Sequence, residues 1–268
     1  MREVCRMKKI RVLVRASFLE GLVLRNRVPI IIIEQLLTIS VNYYIWRQVS
    51  SINLLDGYDA LKISTYPVIV WVLQLFINSS VFLRMMQQYR TGNIVIELIR
   101  PINYFQILFC SSMGKSLFKL VFGCIPTLII VMLITKLYFP HSYVTVLVFC
   151  ISILLSAILI AQIDYCLGRM VFLTENGNGL FMVRCLLIDI FSGILFPLEY
   201  APIFLKQIIN ILPIRLIYYA PASIFLEVYS IEQSLYIVVQ QICWIMIGVL
   251  FMKIVTKITD ARLQVQGG

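Results

Sequence analysis

Three consecutive side chains, Gly114-Lys115-Ser116, have the types that close a phosphate-binding loop, in which a lysine meets nucleotide phosphates and a hydroxyl meets magnesium. That loop also needs a glycine five residues before Gly114 and a strand leading in, because its backbone amides must wrap the phosphates closely. Phe109 occupies the position, so the triplet is not a nucleotide site. HExxH, GxSxG and GxGxxG signatures are missing, and His141 is the only histidine. One imidazole builds neither a triad nor a histidine metal cluster, and His141 reads as an interfacial side chain. The seven cysteines (Cys5, Cys110, Cys124, Cys150, Cys166, Cys185, Cys243) are odd in number, lack CxxC spacing and mostly fall within apolar runs. They read as small buried hydrophobes, so neither a disulfide framework, a metal site nor a cofactor held by this chain is expected.

What remains are charges inside apolar stretches. An Asp or Arg at the centre of a membrane helix costs roughly 2.5 to 3.5 kcal/mol on insertion scales, so each must face protein or water. Asp189 lies deepest in its stretch, with Arg184 five residues before it; Glu34 and Gln35 stand in an earlier stretch, and Asp164 near the end of another. Such groups either line a substrate path or hydrogen-bond one helix to the next, with Arg184 snorkelling. For Asp164 the second reading is expected; for Asp189 both stay open. Lys115 and Lys119, four residues apart, share a helix face, and with Arg84, Arg90 and Arg100 they surround region 84–119 with positive charge. Anionic headgroups account for most of that charge, and a docking surface for a partner is the sharper alternative.

The elements that position these residues follow from composition. Of 268 residues, 60% are hydrophobic and only 13% charged, whereas a soluble domain is nearer half apolar and one-quarter charged. A water-soluble fold could not cover that much apolar surface, so lipid is the solvent for much of the chain. At about 20 residues per crossing, this length holds about six helices with short connections. The expected spans are about 28–46, 62–83, 105–139 (purely apolar from Leu120), 143–167, 180–198 and 235–252. Between the last two, Pro202, Pro213 and Pro221 interrupt a segment too short to cross. In it Phe204, Ile208, Ile211 and Leu212 recur at helical spacing against Lys206, Gln207 and Asn210. No removable signal peptide is expected, because no short apolar core with a small-residue cleavage site follows the basic N-terminus.

The net charge of +10 is distributed unevenly. With six spans, 18 of the 23 basic residues fall on one side, eight of them within the first 27 residues, which puts both termini in the cytoplasm. That juxtamembrane placement reads as contact with membrane lipid; nucleic acid is not an expected partner.

The stretch Tyr89-Arg90-Thr91-Gly92-Asn93-Ile94-Val95-Ile96-Glu97-Leu98-Ile99-Arg100-Pro101-Ile102-Asn103 resembles the loop between the second and third spans of ABC-2 type transporter permeases. There a basic residue and a glycine open a short helix that ends in Leu-x-(Arg/Lys)-Pro. The likeness continues through Phe191-Ser192-Gly193-Ile194-Leu195-Phe196-Pro197-Leu198, Pro202, Leu212-Pro213 and Tyr219-Ala220-Pro221 to Gln266-Gly267-Gly268. The whole chain, 1–268, is thus expected to be one ABC-2 type transmembrane domain of the daunorubicin-resistance-like kind.

The resemblance implies an all-α membrane protein of six transmembrane helices, with a cytoplasmic N-terminal amphipathic helix (1–27) and a re-entrant region after the fifth helix (199–231). Two such subunits, identical or related, would form the pathway of a plasma-membrane exporter for an amphiphilic or lipid-like compound. A separate cytoplasmic ABC ATPase dimer would hold ATP and Mg. Within loop 84–104, residues from about Gln88 to Pro101 would form the coupling helix, with Arg90, Gly92, Glu97, Arg100 and Pro101 as its key positions. Glu34, Arg184 and Asp189 are the pathway or helix-packing candidates. A stand-alone channel or ATP-independent carrier is the rival reading, though the internal repeat common in carriers is missing. An intramembrane enzyme would need more than Asp189, Glu34 and Asp164.

Overall fold

The computed structural model describes residues 2–23, 26, 28–51, 59–77, 79–99, 103–174 and 177–266, and among these the regular structure is all helix, with no strand. The helices are α1 (Arg2–Val23), α2 (Val28–Ser51), α3 (Ala60–Ile77), α4 (Val81–Arg90), α5 (Ile94–Ile99), α6 (Tyr104–Lys119), α7 (Ile125–Ile134), α8 (Tyr143–Thr174), α9 (Gly177–Phe191), α10 (Ile203–Ile211), α11 (Tyr219–Phe225) and α12 (Ile231–Gln266). Five stretches are long and apolar enough to cross a bilayer: 28–49, 60–90, 104–134, 143–174 and 231–260. A sixth candidate is the pair 203–211 and 213–225, bent by 79°. This is the architecture of a multi-pass membrane protein. Exposed Leu133, Ile203 and Ile211 would be costly in water and are ordinary against lipid.

Helix α8 is the central post, packed against α12, α4 and α11. One apolar cluster joins α3, α8, α9 and α11 around Leu73, Ile160, Ile188 and Ile217; a second joins α4, α6 and α8 around Phe82, Met85 and Leu108; a third holds α2 to α3 and α7 through Ile39, Val68 and Val131. Polar groups add direction. The Gln241 amide of α12 donates to the Ser152 and Leu216 carbonyls at 3.3 and 3.0 Å, and Gln162 of α8 donates to the Ile245 carbonyl at 3.1 Å. At that crossing a Cβ on Gly248 would lie 2.9 Å from Cδ of Gln162, so the two helices meet where one has no side chain.

Helix boundaries follow local chemistry. The Ser230 hydroxyl accepts from the Gln233 amide at 3.3 Å while the Gln233 side chain accepts from the Ser230 amide at 3.1 Å, a reciprocal capping box that starts α12 before its apolar run. Asn103 caps α6 by accepting from the Phe105 amide at 3.0 Å. Pro126 has no N–H to give the Phe122 carbonyl, and residues 120–124 take a wider π-helical turn just before it, so the expected third span is two helices joined at a swelling.

Two further expectations are revised. The second span is interrupted at Ser79-Ser80 and then continues as helix to Arg90, beyond Leu83. The helix of the expected fifth span, α9, stops at Phe191, before the expected Leu198, because Gly193 adopts φ +88° and turns the chain; at 15 residues it is not among the stretches long enough to cross. The Gly193 carbonyl accepts from the Tyr66 hydroxyl at 2.6 Å, and a Cβ there would lie 2.7 Å from that oxygen.

Helices α1 and α2 run one after the other beside α6 and α7. The hydroxyls of Ser17 and Ser111 are 2.8 Å apart, Lys115 pairs with Glu20 at 3.9 Å, and Phe18 meets Phe118 edge-on at 6.1 Å. Close approach depends on Gly21 and Gly114: a Cβ would lie 2.5 Å from the Phe118 ring at the first and 2.8 Å from Cβ of Ser17 at the second. The glycine of the Gly-Lys-Ser triplet thus serves helix packing.

Candidate functional site

We call the end of the bundle carrying α5 the proximal end. There α4 stops at Arg90 because Gly92 sits at φ +69°, a left-handed conformation that glycine adopts without strain. The Thr91 amide and hydroxyl both bond the Gln87 carbonyl, each at 3.0 Å, and the Gly92 amide donates to the Tyr89 carbonyl at 3.2 Å. Three contacts tie this elbow to its surroundings. Tyr89 stacks on Phe172 of α8 at 5.3 Å, Arg90 donates to the Asn178 side chain of α9 at 2.8 Å, and the Tyr104 hydroxyl donates to Gln88 at 2.6 Å, closing the start of α6 onto the end of α4. Displacing α5 must therefore move α4, α6 and the α8–α9 corner together. The helix after the glycine is α5, residues 94–99, shorter than the expected 88–101, since Gln88 and Arg90 belong to α4. Ile94 is buried beneath it, Ile96 is exposed and Glu97 is half-buried. Arg100 and Pro101 lie outside the described residues. Below α5, between α4 and α6, a cleft of about 610 Å³ is lined by Glu20, Arg84, Gln87, Glu97 and Lys115.

The second set of candidates lies within the spans. Arg184 of α9 does not face Asp189. Five residues along a helix is a rotation of about 140° between side chains, and Arg184 instead reaches α8, where its Nε and Nη2 contact the two carboxylate oxygens of Asp164 at 2.8 and 3.2 Å. Asp164 is fully buried and also accepts from the Ser79 hydroxyl. Ser79 and Ser80 form the break between α3 and α4, where backbone amides are satisfied by hydroxyls: Val81 donates to that of Ser79 at 3.2 Å and Ser80 to that of Ser112 on α6 at 3.0 Å. One carboxylate thus joins α8, α9 and the α3–α4 break. The structure does not unite the three expected residues. Glu34 and Asp189 are exposed on α2 and α9, while Gln35, next to Glu34, is buried and accepts from Thr127 at 3.2 Å.

Two further polar centres carry no motif that single-sequence reasoning could find. Arg169 of α8, 2% exposed, donates to Asp260 of α12 at 2.6 Å and to the Tyr165 hydroxyl at 3.1 Å, with the rings of Tyr104, Tyr165 and Phe172 around its guanidinium at 5.4 to 5.6 Å. At the end opposite α5, Glu227 closes α11 in a left-handed conformation, φ +50°. Its carboxylate accepts from the His141 and Ser142 amides at 3.2 and 3.3 Å, from the Thr145 hydroxyl at 3.2 Å, and from the Tyr138 hydroxyl. It therefore caps the positive end of α8 from another part of the chain. Partial burial pushes the Glu227 carboxyl up, but these donors outweigh it and hold the group below its ordinary range. Desolvation and the neighbouring Glu227 push the Tyr138 phenol up to about 12. Lys62 completes the latch, its ammonium 4.8 Å from the centre of the Tyr138 ring and 3.2 Å from the Glu227 carbonyl.

Comparison with curated proteins and with solved structures gives no match. A family model described as "ABC-2 family transporter protein" does match, over residues 30–267, a range that takes in every element above except α1 and the first two residues of α2. The elbow at α5, the polar joints between spans and the bent segment after α9 are accordingly parts of a membrane-embedded transport permease, and the chain belongs to the ABC-2 family of transporter proteins.

Proposed function

We propose that this chain is the permease half of an ATP-driven exporter, working as a dimer of permease subunits with a separate ABC ATPase dimer docked at α5. The observation that carries this reading is the anchored elbow: a short helix with Ile96 exposed and Glu97 beside it, its flanking ends tied to α6, α8 and α9. Such a helix, seated in a partner's cleft, transmits the partner's closure as a rigid lever to the ends of α4, α6 and α8 and to the start of α9. Nucleotide and Mg²⁺ belong on the partner. The proximal end then faces the cytoplasm of a cell whose plasma membrane holds the protein, both termini lie on that side, and α10 with α11 forms a re-entrant hairpin on the other. α1 lies near the inner membrane surface as an amphipathic strut against α6. The pathway runs along the exposed faces of α2 and α9, where Glu34 and Asp189 suit an amphiphilic cargo.

The test is to co-purify the chain with candidate ATPases and measure hydrolysis. Glu97→Ala and Arg100→Ala should weaken assembly or lower permease-dependent hydrolysis severalfold. Unchanged assembly and hydrolysis in both variants would refute the docking assignment, and transport by liposomes holding this chain alone would replace it with a carrier.

A further inference from the structure

We infer that the groove between α6 and α12 at the proximal end is a specific binding site for a phospholipid with an anionic headgroup. The groove, about 430 Å³, is within the size range of small-molecule sites. Its floor is Tyr165 of α8. Its apolar half is Phe105 of α6 with Val249 and Met252 of α12, and its polar half is Lys253, Lys257 and Thr256 of α12 with Asn103 at the start of α6. The two lysines, four residues apart, share one helix face, are exposed, and make no ion pair among the described residues. The one carboxylate present, Asp260, is already matched by Arg169 at 2.6 Å, leaving the groove two positive charges in excess.

Depth selects a lipid from other anions. From Gln233 to Met252 α12 carries no charge, a run of about 30 Å at 1.5 Å per residue and so the thickness of the hydrocarbon layer. Lys253 is the first cation beyond it and therefore stands at headgroup level, while Val249 and Met252 lie just inside. A phosphate between Lys253 and Lys257 places its acyl chains against Phe105, Val249 and Met252 without bending. Other apolar faces of the chain, such as that of Leu147, Ile151 and Leu154 on α8, have no lysine or arginine on their own helix nearer than Arg169 and would hold only exchangeable neighbours. The inference does not depend on the transport reading.

The test is native mass spectrometry of the delipidated full-length chain, titrated with dioleoyl phosphatidylglycerol, dioleoyl phosphatidylcholine or inorganic phosphate. Phosphatidylglycerol should saturate one site that phosphatidylcholine fills far less well. The double variant Lys253→Gln/Lys257→Gln should weaken it about 30-fold, at roughly fivefold per lysine near a membrane surface, while Lys136→Gln at the opposite end changes nothing. Val249→Trp, which fills the apolar half and keeps both lysines, should also block the lipid, so the inference stays testable if the double variant does not fold. Equal affinity in wild type and either groove variant would overturn it. Inorganic phosphate displacing the lipid at equal concentration would also overturn it, leaving only an anion site.

Discussion

At the scale of single residues, the informative groups are those whose partners come from distant parts of the chain. Asp164 and Arg184 are twenty positions apart, and each alone is a buried charge. Removing one partner of such a pair costs about 3 to 5 kcal/mol, whereas replacing both with apolar groups is often neutral. Asp164→Ala should therefore lower the melting temperature in detergent sharply, and Asp164→Leu/Arg184→Met should recover most of the loss; a double variant no better than the single would show that the pair is not the joint described. Glu227 makes a pH-dependent prediction. Its folded carboxyl titrates below the ordinary value, so its contribution is fully present above pH of about 4.5 and is lost as pH falls through the lowered value. Tyr138 is the mirror case: its contribution is intact below pH of about 10 and is lost as pH rises towards 12. Thermal stability should accordingly be flat from pH 5 to 8 and fall at both extremes. Glu227→Gln should remove the Glu227 part of the acid-side fall, a result read from paired melting curves. A variant curve parallel to wild type below pH 4.5 would contradict the assignment.

At the scale of elements, the sequence made five spans legible because a long, nearly charge-free apolar run of crossing length has few alternatives, whereas the expected fifth became a 15-residue helix; loop 89–103 was marked by its family resemblance, and its left-handed stop at Gly92 appears only in the structure. The interruptions inside spans were not legible. The break at Ser79-Ser80 exists because Ser112 of another helix accepts the Ser80 amide, and the end of α9 at Phe191 because Tyr66 and Tyr219 close on Gly193 and Ser192. Both depend on partners that a local reading does not contain. Arg184 reads from the sequence as a charge that must face protein or water or snorkel, and its pairing with Asp164 belongs to helix rotation and tertiary packing. Arg169 was visible only as one positive charge among many. The α1–α6 contact was equally hidden, since Ser17, Gly21, Ser111 and Gly114 gain meaning only side by side. The Ser17→Cys/Ser111→Cys pair should form a disulfide under mild oxidation, given hydroxyls 2.8 Å apart in the wild type. Adding Gly114→Leu should abolish the bond by driving α1 away, as a mobility shift on non-reducing gels would report. A cross-link that survives Gly114→Leu would mean that α1 is not held by this close approach.

At the scale of the whole molecule, the exposed surface is of two kinds. Along α12, Met246, Ile247, Leu250, Phe251 and Ile254 present an unbroken apolar face suited to acyl chains. On α2 the exposed face mixes Ile33, Leu37 and Val41 with Glu34 and Thr38, and on α9 it mixes Val183, Leu186 and Ile190 with Asp189. A carboxylate pressed into hydrocarbon costs roughly 2.5 to 3.5 kcal/mol at a helix centre, so two such faces are unfavourable in a lone chain within a bilayer. A second permease subunit that encloses water between the faces removes that cost, which is why the proposed dimer places Glu34 and Asp189 on the pathway. The two kinds of face should differ in solvent access. In native membranes, single cysteines replacing Glu34 and Asp189 should react with a membrane-impermeant thiol reagent at least tenfold faster than a cysteine replacing Ile247, in a background whose own cysteines are changed to serine or alanine. Addition of an amphiphilic cargo should slow the first two and leave the third unchanged. Equal, slow labelling at all three positions would place α2 and α9 against lipid and would remove the physical reason for setting the pathway there.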